Sequence, residues 1–475
     1  MSSPAAARPG TVASLMRPLN TLVERSLPSA LVFAVLLTAV VAALALLLTD
    51  AGPAEVLRGW GDGLSGLLAF MTQMALILML GHALANTRPV RAFLARLGSL
   101  PRTPRQAYVA VFLVAAAASL VTWGLGLVVG ALLAREVAAQ GRARGLRLHF
   151  PLLVAAAFSG FVVWHMGSSG SGPLTAATEG SFLARQLGRT VPVSATTFAP
   201  WNLLATAATI ASVAAALALA APREGDPVRE VDADLRDAAP RFDEEVVTPA
   251  DRLDASRIVT AAVGLALAAW LALHFARGGS LTLDTVNWTF LALVCLLVRS
   301  PFELIALVKG AASTVGDILL QFPLYAGILG IMTTTGLIAV LSDAFVGLAS
   351  PRTFGVLSLL SAGLVNFFVP SGGGQFAVQG PILLDAAARL GVAPEVAIMA
   401  LAYGDQWTNM VQPFWALPLL AIALVSSCSE SGPFVPSIES TNFDPSLNVD
   451  LAASTKTASG LYYRDIVVGA GAQVP

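Results

Sequence analysis

Long apolar runs alternate with short polar stretches along most of the chain. A helix of about 20 predominantly apolar residues crosses roughly 30 Å of hydrocarbon. The runs long enough to do so include 30–48, 203–221, 258–276 and 314–341. We therefore predict an all-α polytopic membrane protein.

Composition and charge agree with a membrane location. Of 475 residues, 56% are hydrophobic and 12% charged, and the mean hydropathy is +0.74. Soluble domains average about 25% charged residues. A net charge of −1 argues against a nucleic-acid surface. Cys295 and Cys428 lie far apart and predict no disulfide framework. We expect the lipid bilayer as a partner and no nucleic acid.

A charged, proline-containing stretch divides the chain into two apolar halves. We predict transmembrane repeat 1 at 1–221, a cytoplasmic linker at 222–257, an incomplete transmembrane repeat 2 at 258–425, and a polar tail at 426–475.

One apolar run is interrupted by Pro370, Ser371 and three glycines at 372–374. A helix broken inside a bilayer leaves backbone N–H and C=O groups that cost several kcal/mol each unless they are paired. We predict that Pro370 stops the incoming helix and that a half-helix begins near Gln375, with its N-terminus at the membrane centre. That end carries about half a positive charge and suits a carboxylate. A flexible kink or a close helix crossing is the structural alternative.

A second interruption, YGDQWTNMVQP at 403–413, puts Asp405 at membrane depth. A charge there costs at least about 2.5 kcal/mol on insertion scales, so a functional role is the default hypothesis. We predict that Asp405 binds a coupling cation or carries a coupling proton. A structural carboxylate satisfied by neighbouring amides is the alternative.

The two halves show a weak self-match. At a shift of 244, residues 155–166 align with 399–410 and residues 119–126 with 363–370. Two clusters of arginines, one ending at residue 105 and the other beginning at residue 135, mark the cytoplasmic side. About 29 residues lie between them, too few for two spans of roughly 20 each, which predicts a re-entrant hairpin. The second hairpin has few basic neighbours and is expected to open outside, which predicts inverted repeats as in secondary transporters.

The stretch WHMGSSGSGPLTAATEG at 164–180 is the expected first-half counterpart of these breaks, with a surface Gly/Ser loop as the alternative. Its hydroxyls at Ser168, Ser169 and Ser171 are candidate donors. We predict that His165 is an interfacial residue, with a proton relay as the alternative. No Lys or Arg lies centrally in any break, which favours small monocarboxylates over di- or tricarboxylates.

Four stretches, 60–85, 123–138, 369–381 and 403–418, resemble the bacterial short-chain fatty acid transporter family, which is linked to acetoacetate and butyrate uptake. The resemblance runs from about residue 15 to 425, and the family is similar to the ion-transporter superfamily of inverted-repeat carriers. It implies substrate and ion sites at Thr122, Gly124, Gly126, Ser168, Ser169, Gly170, Asn366, Ser371, Gly372, Gly373, Gly374, Gln375, Asp405, Thr408 and Asn409.

Two residues depart from the family pattern, because Thr122 stands where Asn is expected and His165 where Gly is expected. The resemblance implies no cofactor and no bound metal other than a candidate Na⁺ near Asp405 and Asn409. The coupling ion, H⁺ or Na⁺, is left open.

These features predict a secondary active transporter for butyrate- or acetoacetate-like monocarboxylates, cation-coupled by alternating access. The expected location is the bacterial cytoplasmic (inner) membrane with a cytoplasmic N-terminus, and a homodimer is the candidate assembly. One alternative is a passive anion channel. Another is an intramembrane serine protease, since Gly167–Gly170 has a G-x-S-G pattern with His82 or His165 as a candidate base.

The tail departs from the resemblance. No further membrane helix follows residue 425, so we expect repeat 2 to lack the counterpart of 200–221. Residues 457–475 resemble the opening strand region of a secreted FKBP-type prolyl isomerase, and LVSSC at 424–428 resembles a lipoprotein cleavage box. No isomerase activity is expected, because the catalytic part of that domain is absent. An unstructured tail is the alternative.

Overall fold

The computed structural model describes residues 30–222, 226, 228–230, 246–312, 315–367, 369, 371–411, 415–416, 419–420, 454–456 and 462–463. The first half contains α1 (Ala30–Leu48), α2 (Pro53–Gly63), α3 (Leu68–Ala85), α4 (Arg88–Gly98), α5 (Pro104–Val121), α6 (Trp123–Ala143), α7 (Phe150–Ser159), α8 (Ser171–Ala177), α9 (Phe182–Leu187) and α10 (Pro200–Ala220), with 3₁₀ turns at Gly160–Met166 and Val193–Ala195. The second half contains α11 (Pro249–Asp254), α12 (Arg257–Ala276), α13 (Leu283–Leu297), α14 (Pro301–Ala312), α15 (Gly316–Thr334), α16 (Leu337–Leu348), α17 (Phe354–Asn366), α18 (Gly372–Arg389) and α19 (Pro394–Thr408), with a 3₁₀ turn at Asn409–Val411.

The chain forms two compact units, Met1–Leu424 and Val425–Pro475. In the second unit, β1 (Thr455–Lys456) pairs antiparallel with β2 (Tyr462–Tyr463). The remainder of the stretch that resembles an isomerase lies outside the described residues, as does the segment from 421 to 453 in which a last membrane helix was expected to be missing.

Within the described residues, eight helical segments are long and apolar enough to cross a membrane. They are Leu31–Leu48, Leu68–Ala85, Pro104–Val121, Trp123–Ala143, Phe150–Ala177, Pro200–Ala220, Arg257–Ala276 and Gly316–Thr334. The prediction of an all-α polytopic membrane protein is confirmed. The outer helices α1, α10 and α12 leave most of their apolar side chains exposed, including Leu47 (78%), Leu219 (86%) and Ile258 (79%). Such faces suit contact with lipid, whose tails are as apolar as leucine.

The run at 314–341, predicted to be long enough to span, is divided between two helices, of which α15 is itself long enough to span. Gly336 adopts a left-handed conformation (φ +73°) that glycine tolerates without steric cost, and α15 therefore ends at Thr334 before α16 begins at Leu337.

Helix spacing recurs between the halves. Helices α3 to α7 and helices α15 to α19 begin 244 to 250 residues apart, pair by pair. The packing recurs as well, since α3 packs on α13 and α14 while α15 packs on α1 and α2. Each half thus inserts one helix among helices of the other. The two-repeat organisation and the opposite membrane orientation of the repeats stay predictions.

The length argument for the first re-entrant hairpin was wrong. Helix α6 continues past the buried Arg135 to Ala143, so α5 and α6 contain 18 and 21 residues and are each long enough to span. They are separated by the single residue Thr122 and pack closely against each other. Whether this hairpin is re-entrant stays a prediction.

Candidate functional site

The second-half helix break lies between α17 and α18. Ser371 is extended (φ −139°, ψ 115°), and its Oγ accepts a 3.4 Å hydrogen bond from Gly374 N. Ser371 is thus the N-cap and pairs one of the N–H groups that a helix start leaves open. The half-helix begins at Gly372, about one turn before the predicted start near Gln375, because the glycines are themselves helical. Pro370 lies outside the described residues.

The glycines at 372–374 are explained by crowding. None of the three adopts a positive φ. A Cβ on Gly372 would lie 2.5 Å from Trp164 Cη2, and a Cβ on Gly374 would lie 2.6 Å from Tyr325 Cδ2. Carbon atoms in favourable contact are about 3.5–4.0 Å apart. The first turn of α18 is therefore enclosed by aromatic side chains of both halves, with no room for a side chain of its own.

The first-half helix break lies at Thr122, between α5 and α6. Two serines connect the ends of these helices. Ser168 donates from its backbone N to Leu120 O (2.7 Å), and its Oγ lies within hydrogen-bond distance of Val121 O (2.7 Å) and Leu120 O (3.1 Å). Ser169 Oγ accepts from Trp123 N at 3.0 Å. The two predicted serines therefore satisfy backbone groups that the break exposes, and both hydroxyls are engaged.

The predicted glycines of the first half permit close packing. A Cβ would lie 3.2 Å from Leu78 Cδ1 at Gly124, 1.9 Å from Ser119 Oγ at Gly126, and 2.5 Å from His165 O at Gly170. Gly126 thus allows α5 and α6 to pack closely, Gly124 allows α6 to approach α3, and none of the three glycines lines the cavity described below.

A buried contact between the halves lies at the end of α19. Asp405 and His165 are both fully buried. His165 Nδ1 lies 3.3 Å from Asp405 Oδ2 and 3.1 Å from Ala402 O. Asn409 Nδ2 donates to Asp405 Oδ2 at 3.1 Å. Asp405 Oδ1 and His165 Nε2 have no hydrogen-bond partner among the described residues. A carboxylate with one open oxygen thus faces an imidazole from the other half.

The prediction that His165 is an interfacial residue is wrong. Its ring centroid lies 3.5 Å from that of Trp164 and 5.8 Å from that of Phe376, in the interior. The physical reason is packing, because the 3₁₀ segment Gly160–Met166 contacts α5, α6 and α19.

An amide network joins the two breaks of the second half. Asn366 Nδ2 lies within hydrogen-bond distance of Asp405 O (2.9 Å), Thr408 Oγ1 (2.8 Å) and Asn409 Oδ1 (2.7 Å). An amide nitrogen has two hydrogens, so one of them is shared. Gln375 Nε2 donates to the carbonyl of Ala362 in α17 at 2.7 Å. The structure therefore brings the predicted residues Asn366, Asp405, Thr408 and Asn409 into one buried cluster.

A cavity of about 30 Å³ lies at the N-terminus of α18. Both halves line it, through Met74, Trp123, Trp164, Ser171, Asp317, Ile318, Gln321, Phe322, Ser371, Gly372, Gly373 and Trp415. None of these is Lys or Arg. A water molecule needs about 10–15 Å³ of such space, so the volume suits one or two waters. A four-carbon carboxylate requires the surrounding helices to separate.

Sequence reasoning missed several residues of this region, of which Asn202 is the clearest. Its fully buried side chain donates to Met166 O (3.1 Å) and Thr197 O (2.6 Å) and accepts from Tyr403 OH (2.7 Å). It thereby connects α10 with α19. A polar amide in the first turn of an otherwise apolar span was the signal that could have found it.

Comparisons with known proteins identify relatives of this chain. The chain is 40% identical over 416 residues, 87% of this chain and 93% of the relative, to a protein of Escherichia coli named "Putative short-chain fatty acid transporter". A protein of Haemophilus influenzae with the same name is 36% identical over 422 residues, with the same coverage of 87% and 93%. The crystal structure of the Alcanivorax borkumensis YdaH transporter matches with a TM-score of 0.46 and 17% identity, covering 85% of this chain and 91% of that one.

The family profile described as "Short chain fatty acid transporter" matches residues 11–429. This range contains every helix of the first and second halves, including both helix breaks and the buried cluster. The family and the relatives are transporters rather than enzymes. Together with the eight apolar helices, the match shows that this multi-pass membrane protein belongs to the short-chain fatty acid transporter family.

Proposed function

We propose that the protein is a secondary active carrier for butyrate- or acetoacetate-like monocarboxylates, coupled to H⁺ or Na⁺ and operating by alternating access. The observation that carries the proposal is the position of the α18 N-terminus. Gly372 and Gly373 line a cavity to which the first half also contributes Trp164 and Ser171. A helix N-terminus offers open N–H donors and a partial positive charge to an anion.

The location of the cavity supports alternating access. Secondary transporters bind substrate where broken helices of two repeats meet, and movement of one repeat against the other exposes the site to each side in turn. The cavity lies between halves, and it must widen before it admits a four-carbon acid. The same movement that admits substrate would then separate the walls contributed by each half.

Asp405 is the proposed coupling group. It is fully buried, its Oδ1 accepts no hydrogen bond within the described residues, and its other oxygen meets His165 of the first half. Burying an ionised carboxylate is costly unless a cation or proton accompanies it. Binding of a cation at Asp405 would therefore be linked to the contact between the halves. Na⁺ near Asp405 and Asn409, or H⁺ on Asp405, would fulfil this role.

The domain arrangement and location remain part of the proposal. The proposed arrangement consists of repeats at 1–221 and 258–425, a cytoplasmic linker between them at 222–257, and a tail at 426–475. The N-terminus would lie in the cytoplasm. The recurrent spacing of α3 to α7 and α15 to α19 supports the two repeats. The bacterial inner membrane is the proposed location, and a homodimer the proposed assembly.

Uptake into proteoliposomes tests the proposal. With the full-length protein reconstituted, radiolabelled butyrate should accumulate above its equilibrium level under an imposed H⁺ or Na⁺ gradient. Asp405→Asn should abolish the dependence on the gradient, whereas Asp62→Asn, at an exposed carboxylate of α2, should leave uptake unchanged. Equal, gradient-independent uptake by wild type and Asp405→Asn would refute the coupling role.

A passive anion channel is the second candidate, because the same cavity would also suit a permeating anion. Saturable, gradient-driven accumulation of butyrate would exclude a channel, whereas large ohmic currents in planar bilayers would favour one. The serine protease alternative loses its support, since the family members are transporters and the hydroxyls of Ser168 and Ser169 are engaged with backbone groups at the first helix break.

A further inference from the structure

Three residues of the first half that line the cavity at the α18 N-terminus have side-chain donors for which the described residues offer no acceptor. Trp123, Trp164 and Ser171 line the cavity. Their side chains are 2%, 2% and 0% exposed. The indole nitrogens of both tryptophans and the Ser171 hydroxyl have no hydrogen-bond partner among the residues that the structure describes. Buried polar groups are normally paired, so three open donors at one cavity require an explanation.

The two indoles are held in place by packing. The Trp123 and Trp164 ring centroids are 6.2 Å apart at an interplanar angle of 57°. Trp164 stacks on Phe161 at 5.5 Å and 8°, and Trp123 meets Trp415 edge-on at 5.5 Å. Rings supported on several sides lose little freedom when a ligand binds, so the donors are preorganised.

The wall of the cavity that α15 forms differs chemically from the side formed by the first half. Helix α15 contributes the apolar side chains Ile318 and Phe322, and near its N-terminus the exposed carboxylate Asp317. Once the surrounding helices separate, an acyl chain would lie against the apolar pair. A second carboxylate on a substrate would meet Asp317, and like charges at close range repel one another.

We propose that the substrate carboxylate binds to the indole N–H groups of Trp123 and Trp164 and the hydroxyl of Ser171, beside the open end of α18. A carboxylate accepts about four hydrogen bonds and satisfies all three donors, as well as a backbone N–H. The alkyl chain lies along Ile318 and Phe322. Asp317 excludes dicarboxylates. This assignment rests on the proposed function and adds to it the groups that recognise the substrate and limit its charge.

Removal of single N–H groups tests the donor set. Trp123→Phe and Trp164→Phe keep an aromatic ring and delete the donor, and Ser171→Ala deletes the hydroxyl. Loss of one hydrogen bond to a charged group should raise the KM and Kd for butyrate by about tenfold to a hundredfold in each variant. The control is Trp270→Phe, at a 47% exposed tryptophan of α12, which should leave both constants unchanged.

A charge comparison separates recognition from a merely structural role. Isothermal titration with butyrate and with its uncharged analogue butyramide gives the ratio of the two affinities for each variant that elutes as a folded monodisperse protein. The ratio should fall in Trp123→Phe, Trp164→Phe and Ser171→Ala. A general loss of packing would weaken both ligands alike. An unchanged butyrate KM and an unchanged ratio in all three variants would overturn the proposal.

The role of Asp317 has its own test. Succinate should compete poorly with butyrate uptake by the wild type, and Asp317→Asn should lower the inhibition constant of succinate by up to about fivefold, because the repulsion from an exposed charge is screened by water. No change in succinate competition would overturn that part of the assignment.

These results are independent of whether the protein is a coupled carrier. Butyrate binding that weakens in the donor variants, together with failure of the wild type to accumulate butyrate under any gradient, would uphold the carboxylate site and refute the carrier. Accumulation by the wild type with unaltered KM in the donor variants would uphold the carrier and refute the site.

Discussion

Replacing Gly374 by alanine tests the packing account of the glycine triplet. An added Cβ would lie 2.6 Å from both Cδ2 and Cε2 of Tyr325, a fully buried aromatic ring. Favourable carbon contacts are about 3.5–4.0 Å, so the ring or the helix must move by about 1 Å. Overpacking of this kind costs about 1–3 kcal/mol.

Helix propensity acts in the opposite direction. Alanine is more favourable than glycine inside a helix by up to about 1 kcal/mol, and less than that in a first turn. The steric term is therefore expected to exceed the propensity term, and Gly374→Ala should lower the free energy of unfolding by about 1–2 kcal/mol. The matched control is Gly310→Ala in α14, where no atom lies within 4 Å of the added Cβ. That variant should be neutral or stabilised by a few tenths of a kcal/mol.

The assay is denaturation of both purified variants in mild detergent, followed by near-ultraviolet circular dichroism and supported by butyrate uptake after reconstitution. We expect opposite signs for the two substitutions, and reduced uptake only for Gly374→Ala. If Gly374→Ala proved as stable as Gly310→Ala, the triplet would have to be explained by flexibility rather than by contact with aromatic rings.

Three further changes follow from individual hydrogen bonds. Ser169→Ala removes the acceptor for Trp123 N and should lower the free energy of unfolding by about 1 kcal/mol, whereas an unchanged value would argue against this cap. Asn366→Ala deletes the donor shared by the second-half cluster and should cost about 2–3 kcal/mol in the same denaturation assay. Burial and the Arg229 charge lower the pKa of His149 below its ordinary value of 6.5. The neutral His149 Nδ1 accepts a hydrogen bond from Arg229 N at 3.0 Å. This contact therefore stabilises the fold above pH 6.5, and its contribution is lost as the pH falls below 6.5 and His149 becomes protonated. Amide hydrogen exchange at Arg229, corrected for the intrinsic exchange rate, should therefore accelerate on acidification in the wild type. In His149→Gln, which has no titrating side chain at this position, the corrected exchange rate should not increase on acidification.

The apolar pattern predicted the helical class and most of the spans, because span length and hydropathy are local properties of the sequence. The run at 30–48 appears as α1, and 258–276 as α12 with one residue more. The pattern did not show where a run divides or which polar residue is buried by packing. Gly336 divides the run at 314–341 through its left-handed conformation, and packing of the 3₁₀ turn at 160–166 against α5, α6 and α19 buries His165.

The candidate site was predictable in part, because glycine, proline and carboxylate are costly inside an apolar run wherever the chain folds. This reasoning singled out Ser371 to Gln375 and Asp405 without tertiary information. It could not assign Ser169 to the cap of α6 or Trp164 to the cavity wall, since both roles depend on contacts between segments distant in sequence. Tryptophan also resembles any other apolar residue in a hydropathy pattern, and its N–H becomes informative only when burial leaves it without an acceptor.

A structure determined with bound 3-bromopropionate, located by the anomalous signal of bromine, would test the central claim most directly. We predict that the carboxylate lies beside Ser171, Gly372 and Gly373, between the two halves of the chain, and that the bromine lies against Phe322. A ligand bound on one half alone, or at a position remote from the first turn of α18, would contradict it.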